Sequence, residues 1–270
     1  MIYLALKYSI FITLLITGIF LCFGYIYSFI EKRNSSYIYL AFGSNGILFT
    51  GIIGTAVHEI GHLIMCLIFH HKVSDFQLFN FKGYKYEETL GYVSHRYSHK
   101  NSYEKAGNFF IGIGPMISGT LFIILSFKLL LPNIYDSINI NSYLTHLYSI
   151  NIENVLFLLL SLSKNLLFSL FNINNFTSIN FYIFIYLMFS VSSHISLSKK
   201  DFENSSVGIF SLFLIFFAVC LFSIFLNFNL NNLLLNFMKM IIYLIFFLSI
   251  GLMFSLISLF ISFIIYNIKR

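Results

Sequence analysis

The chain has 270 residues, of which 58% are hydrophobic, 20% are aromatic and only 10% are charged. This composition lies outside the range of ordinary soluble domains and predicts an integral membrane protein. The formal charge of +6 comes from Lys and Arg residues in short segments between apolar runs. Such residues typically orient a membrane protein, so no nucleic-acid partner is expected. All three cysteines lie inside apolar runs, so no disulfide framework is implied.

Six apolar runs are long enough to cross a bilayer, so the predicted fold class is an all-α integral membrane protein. We expect a polytopic helical bundle of about six transmembrane spans that forms a single membrane domain, residues 1–270. The run at 154–171 is interrupted by Lys164 and by Ser and Asn residues, which favours an interfacial or re-entrant helix there. The six runs lie at about 8–30, 46–69, 106–131, 179–196, 205–228 and 238–266.

Residues 71–105 form the only long polar stretch, and their alternating pattern predicts a small β-hairpin at the membrane surface. Six spans would place this loop and both termini on one side of the bilayer. That side carries most of the Lys and Arg residues, so the positive-inside rule makes it cytoplasmic. The predicted location is therefore the bacterial cytoplasmic membrane, with both termini in the cytoplasm. This assignment depends on 154–171 not spanning.

The segment "HEIGH" at 58–62 places two histidines and a glutamate inside the second apolar run. On a helix, His58 and His62 lie one turn apart, so both imidazoles can bind one metal ion. Glu59 projects beside that ion, where its carboxylate can take a proton from a metal-bound water. The open alternative is a polar cluster that joins helices by hydrogen bonds.

Close packing of a neighbouring helix is predicted at three glycines of the same run, Gly51, Gly54 and Gly61.

A catalytic zinc site requires a third protein ligand and one open position. Two candidates lie in "SSHISLSKKDFENSS": His194 at the end of the fourth run and Asp201 at the start of the fifth. Ser198 and Asp201 also fit a helix N-terminal cap, which would explain the carboxylate without a metal. His194 also fits an ordinary interfacial histidine. Both residues stay candidates at this point.

These motifs resemble the site-2 protease family of intramembrane zinc metalloproteases. "HEIGH" at 58–62 matches the active-site helix of that family, and "LGYV" at 90–93 resembles its Gly-rich surface segment. "IGIGPMISG" at 111–119 resembles the stretch that opens the next span, with Ser118 or Gly119 where the family has Asn. The family's third ligand is an Asp in an "LDG" type of motif, whereas "LSKKDFE" supplies Asp201 without the glycine.

The resemblance divides the membrane domain into three regions. Residues 46–131 correspond to the metalloprotease-like core, 179–228 form the candidate third-ligand region, and 235–270 contain the C-terminal span. The resemblance implies Zn2+ bound by His58, His62 and Asp201, with Glu59 as the general base.

The expected function is a membrane-embedded zinc endopeptidase whose partners are the lipid bilayer and a membrane-associated peptide or protein substrate. An extended substrate can pair with a strand edge, and Gly91, Tyr92 and Val93 are the residues predicted to bind it. Two alternatives stay open. One is a non-enzymatic membrane protein, such as a metal or solute transporter or an immunity-type binding protein, and the other is an inactive peptidase relative.

Overall fold

The computed structural model describes residues 2–81, 89–138, 152–228 and 230–270. Most of these residues are helical, and a small antiparallel sheet of two strands follows the first helix. The predicted helical bundle with a β-hairpin is therefore confirmed. The helices are α1 (Ile2–Ile68), α2 (Ser102–Gly112), α3 (Gly114–Leu130), α4 (Pro132–Ile138), α5 (Ile152–Leu170), α6 (Ile179–Ser192), α7 (Lys199–Phe225) and α8 (Leu230–Lys269), and the strands are β1 (Lys72–Gln77) and β2 (Tyr92–Arg96).

Within the described ranges, four helices are long and apolar enough to cross a membrane, namely α1, α5, α7 and α8. The helices α2 and α3 meet at an angle of 56° and make a fifth candidate when they count as one broken span. Helix α6 is apolar but has only 14 residues. The helices thus fit a membrane protein, whereas the predicted count of six spans is not confirmed. Helix α5, which we expected to be interfacial or re-entrant, has the length of a span.

Gly43 divides α1 into two parts. Its φ of 67° lies in the left-handed region, which glycine adopts without the steric cost of a Cβ. Glu31 in the first part and His58 in the second both contact His194. Gly43 lies about midway between Glu31 and His58 in the chain. The two parts of α1 must therefore lie alongside each other for both residues to reach His194. The two apolar runs predicted at 8–30 and 46–69 consequently run in opposite directions.

The first part of α1 lies parallel to α8. Tyr8 donates a hydrogen bond of 2.7 Å to Asn231, Tyr27 donates one of 2.7 Å to the carbonyl of Leu248, and Lys269 donates one of 2.9 Å to the carbonyl of Ala41. The two chain ends consequently lie at opposite ends of this helix pair. The side of the membrane on which each terminus lies stays a prediction.

The hairpin lies next to the end of α1 that carries the HEIGH segment. Val73 of β1 pairs with His95 of β2 and Gln77 pairs with Tyr92, with an irregularity in the register between Val73 and Asp75. Both strands contact α1. The tip of the predicted hairpin, residues 82–88, lies outside the described residues.

Helix α3 packs against α1 backbone to backbone beside His62. A Cβ atom on Gly61 would lie 2.5 Å from the carbonyl oxygen of Gly114, and one on Gly114 would lie 2.8 Å from the carbonyl oxygen of Gly61. Ser118 of α3 also donates a hydrogen bond of 2.8 Å to the carbonyl of Val57. The close packing predicted at Gly61 is therefore confirmed.

We expect Gly61→Ala to lower the free energy of unfolding by about 1–3 kcal/mol, because the added methyl group would force α1 and α3 apart. The thermal unfolding midpoint in detergent micelles measures this effect. Gly18→Ala is the matched control, since no atom lies within 4 Å of a Cβ at that position of the same helix. It should leave the midpoint unchanged or raise it, because alanine stabilises a helix interior by about 0.5–1 kcal/mol over glycine. Equal midpoints for the two variants would contradict the close packing.

Candidate metal centre

His58, His62 and Asp201 meet between α1 and the start of α7. Nε2 of His62 lies 3.2 Å from Nε2 of His58 and 3.2 Å from Oδ1 of Asp201, and Nε2 of His58 lies 3.9 Å from Oδ2 of Asp201. One donor atom from each residue lies within 4.8 Å of the others, and among the described residues this is the only such group of three or more potential metal ligands. The spacing suits an ion about 2.0–2.2 Å from each donor.

Main-chain carbonyl groups fix the orientation of both imidazole rings. Nδ1 of His58 lies 2.8 Å from the carbonyl oxygen of His194, and Nδ1 of His62 lies 2.8 Å from that of Ile111. A carbonyl oxygen only accepts hydrogen bonds, so each Nδ1 carries a hydrogen. In the neutral rings each Nε2 therefore presents a lone pair toward the other ring and toward Asp201. Metal-binding histidines are commonly held in this way by a partner on the second nitrogen.

Asp201 also forms the N-terminal cap of α7. Its Oδ2 accepts a hydrogen bond of 2.7 Å from the main-chain N–H of Ser198, and its own N–H donates one of 3.2 Å to the hydroxyl of Ser198. Oδ1 still faces His62. The cap and the ligand role are therefore compatible, because the two carboxylate oxygens point to different partners.

Close packing between α2 and α7 brings Asp201 to the histidines. A Cβ atom on Gly112 would collide with the main chain of Asp201 and with Ser205, and one on Gly208 would collide with the main chain of Phe109. The two helices can approach this closely because glycine has no Cβ at either position. Helix α2 also supplies the carbonyl of Ile111 that orients His62. One helix thus positions two members of the group.

His194, the other candidate ligand, is not a member of this group. Its main-chain carbonyl accepts the hydrogen bond from His58, and its ring nitrogen Nδ1 lies 3.5 Å from Oε1 of Glu31. The other oxygen of Glu31 accepts a hydrogen bond from the hydroxyl of Ser196. Sequence reasoning missed Glu31, because a single carboxylate at the end of an apolar run resembles an ordinary boundary charge.

Glu59 is buried beneath the start of the hairpin's second strand. A Cβ atom on Gly91 would lie 2.8 Å from Cγ of Glu59 and 2.9 Å from the carbonyl oxygen of Gln77, so only glycine fits between them. Tyr92 follows and donates a hydrogen bond of 2.6 Å to Asp75. Val93 pairs with Phe76 of β1. The three residues predicted to bind substrate thus begin beside Glu59, and their contact with a substrate stays a prediction.

A second histidine pair ties the hairpin to α2. Nδ1 of His71 lies 3.0 Å from Nδ1 of His95, and Nε2 of His71 donates a hydrogen bond of 2.8 Å to the carbonyl of Glu104. Since the hydrogen of neutral His71 is on Nε2, its Nδ1 accepts and His95 donates. The ring of Tyr97 stacks on His71, with centroids 5.1 Å apart. This pair links both strands to the first turn of α2.

No family model, curated protein or solved structure matches this chain. The likeness to the site-2 proteases therefore depends on the quoted motifs. Function has to be argued from the geometry of the three side chains and of the groups that hold them.

The packing of the hairpin against α2, called docking below, should weaken in acid because of His95. Burial, and then the neighbouring His71, lower the pKa of His95 below its ordinary value. The undocked hairpin then binds a proton more readily than the docked one, since a free histidine has a pKa of about 6.5. Docking is therefore fully stable above about pH 6.5 and weakens as the pH falls toward the lowered pKa.

Hydrogen exchange of the β1 and β2 amides, corrected for intrinsic rates, measures this effect between about pH 7.5 and about pH 5.5. Protection should fall in acid in the wild-type protein and in the control His99→Asn, whose side chain is exposed. It should be independent of pH in His95→Asn. An unchanged pH dependence in His95→Asn would refute the assignment to this residue.

Proposed function

We propose that this protein is a membrane-embedded zinc metallopeptidase that hydrolyses peptide bonds within or near the bilayer. The observation that carries the proposal is the convergence of Nε2 of His58, Nε2 of His62 and Oδ1 of Asp201, with both Nδ1 atoms committed to carbonyl groups. Two imidazoles and one carboxylate form a typical ligand set of catalytic zinc sites, which leave a fourth position open for water.

When bound, zinc would act as a Lewis acid and lower the pKa of a coordinated water to about 7. The residues of the chain supply the remaining functions. His58 and His62 orient the site through their fixed rings, and Asp201 supplies one negative charge. Glu59 follows His58 directly in the helix and is buried, so its carboxylate is suited to accept a proton from the attacking water. It then returns that proton to the leaving amine nitrogen as the C–N bond breaks.

The hairpin supports a peptide as the substrate class. Gly91 lies against Glu59, so a chain segment held along 91–93 would be close to the proposed general base. Extended peptides commonly bind by pairing with a strand edge, which gives main-chain hydrogen bonds independent of side-chain identity. We therefore propose Gly91, Tyr92 and Val93 as the substrate-binding segment and a membrane-associated peptide or protein as the partner.

Metal passage is the second candidate function. Glu31 and His194 place further polar groups from the first part of α1 and from the α6–α7 linker next to the proposed ligands. Transporters place polar groups from several helices at one depth. The two functions differ in their need for Glu59, which hydrolysis requires and metal passage does not.

Purified protein should contain about one zinc ion per chain. Asp201→Ala and His62→Ala should each lower zinc affinity by at least about 100-fold, because the remaining donors cannot complete the site. Glu59→Gln should retain full zinc content, since Glu59 is proposed as a base and not as a ligand. Competition with a chromogenic chelator measures the affinities. The matched control is Glu203→Gln, an exposed carboxylate two residues from Asp201 on the same helix. Equal affinity in Asp201→Ala would remove Asp201 from the ligand set.

Cleavage should require both zinc and Glu59. We expect zinc-loaded wild-type protein in proteoliposomes to cleave members of a pool of single-span peptides, detected as new N-termini by mass spectrometry. Glu59→Gln should produce none while it still binds zinc, and Glu203→Gln should match the wild type. Cleavage by zinc-free protein would contradict the mechanism. Metal flux into the vesicles that is lost in His58→Ala and kept in Glu59→Gln would favour passage over hydrolysis.

A further inference from the structure

The linker between α6 and α7 supports two of the three proposed ligands. The carbonyl of His194 accepts the hydrogen bond of 2.8 Å from His58, and the main-chain N–H of Ser198 donates that of 2.7 Å to Asp201. These two supports lie four residues apart in one non-helical segment. A displacement of residues 193–198 would therefore move His58 and Asp201 relative to each other.

Polar side chains of the first part of α1 hold this linker. The Glu31 carboxylate accepts a hydrogen bond from the hydroxyl of Ser196, and its second oxygen lies 3.5 Å from Nδ1 of His194. Asn34, one turn further along α1, donates a hydrogen bond of 3.2 Å to the hydroxyl of Ser193. Ser196 lies between His194 and Ser198, the two residues whose main-chain groups support the ligands. Of Glu31 and Asn34, only Glu31 contacts the linker there.

Apolar contacts bury the linker but do not by themselves orient its main-chain groups. Ile195 and Leu197 are both 1% exposed. A Cβ on Gly119 would collide with the side chain of Ile195, and one on Gly24 would lie 2.5 Å from that of Leu197. Such contacts are non-directional, because the free energy of apolar burial depends on area and not on angle. Hydrogen bonds to a carboxylate are directional, so Glu31 can fix the position of the carbonyl of His194.

The charge of Glu31 also suits a metal centre. Two neutral imidazoles and one carboxylate around a divalent cation leave a net charge of +1, which is costly inside an apolar bundle. Glu31 lies beside the ring of His194, with Oε1 3.5 Å from Nδ1, and the main-chain carbonyl of His194 accepts the hydrogen bond of His58. Its negative charge would compensate the remaining positive charge without occupying a coordination position.

We propose that Glu31 is a positioning residue of the metal centre. It holds the linker 193–198 so that His58 and Asp201 present their donor atoms to one ion together, and it balances the charge of that ion. This inference rests on the proposed function, because it takes the three side chains to be a metal site. A purely structural role, in which Glu31 only joins α1 to the linker, is the competing explanation.

Two substitutions separate these roles. In Glu31→Gln the amide oxygen can still accept from Ser196 and the amide N–H can donate to His194, so the contacts remain and the charge is lost. Glu31→Ala removes both. Loss of a group that supports metal ligands typically costs 10–100-fold in metal affinity. We expect zinc affinity to fall about 10-fold in Glu31→Gln and about 100-fold in Glu31→Ala, while the unfolding midpoint of metal-free Glu31→Gln stays that of the wild type.

The experiment measures Zn2+ affinity by chelator competition and records the visible absorption of the Co2+ form, with the full chain in detergent micelles. The ligand-field bands of Co2+ report coordination geometry, so they should change in Glu31→Ala and stay constant in the control Glu203→Gln. Where Glu31→Ala does not fold, Ser196→Ala removes the hydroxyl that donates to Glu31 and tests the positioning role by the same two measurements, while Glu31→Gln tests the charge.

Wild-type affinity in Glu31→Gln would overturn the charge-balancing role, and wild-type affinity with unchanged Co2+ bands in Glu31→Ala would overturn the positioning role. Either result would leave the proposed function standing. If the wild-type protein itself binds neither Zn2+ nor Co2+, the proposed function and this inference both fail.

Discussion

Three groups that can only offer electron pairs face one another inside an apolar helical bundle, and this constraint organises the region around them. Both imidazoles have committed their Nδ1 hydrogens to carbonyl oxygens, and the facing oxygen of Asp201 is a third electron-pair donor. Such a cluster repels itself unless a positive charge occupies its centre. A metal ion or a bound proton meets that need, and the proposed function takes it to be a metal ion.

The surrounding elements act mainly to keep these donors convergent. Gly43 reverses α1, so that its first part reaches the linker and its second part carries the histidines. Helix α2 orients one imidazole and, through glycine contacts with α7, draws the carboxylate towards it. The hairpin covers Glu59 at Gly91 and is tied to α2 by the pair of His71 and His95. These supports come from parts of the chain that lie far apart in the sequence, so the centre forms only in the folded bundle.

Local patterns predicted the parts of this arrangement that depend on a few neighbouring residues. The facing histidines follow from helical periodicity, and the hairpin follows from the alternation around it. The sequence left Asp201 and His194 as alternative third ligands, because the choice between them depends on how closely α2 approaches α7. Glu31 was missed since its partners lie 163 to 165 residues away. The count of six spans was not confirmed, because α6 is shorter than a span and the polar interruptions of α5 did not reveal its length.

The parallel contact between α1 and α8 also bears on how the chain assembles. Tyr8 and Tyr27 have their partners 223 and 221 residues later in the chain, so the first part of α1 is synthesised well before the helix that supplies these partners. Until then the hydroxyl of Tyr27 and the amide of Asn34 lack the acceptors and donors that α8 provides in the folded protein. In lipid an unpaired polar group is costly, so pairing with α8 stabilises the first part of α1. The polar groups of the first part of α1 are therefore fully paired only when α8 is in place.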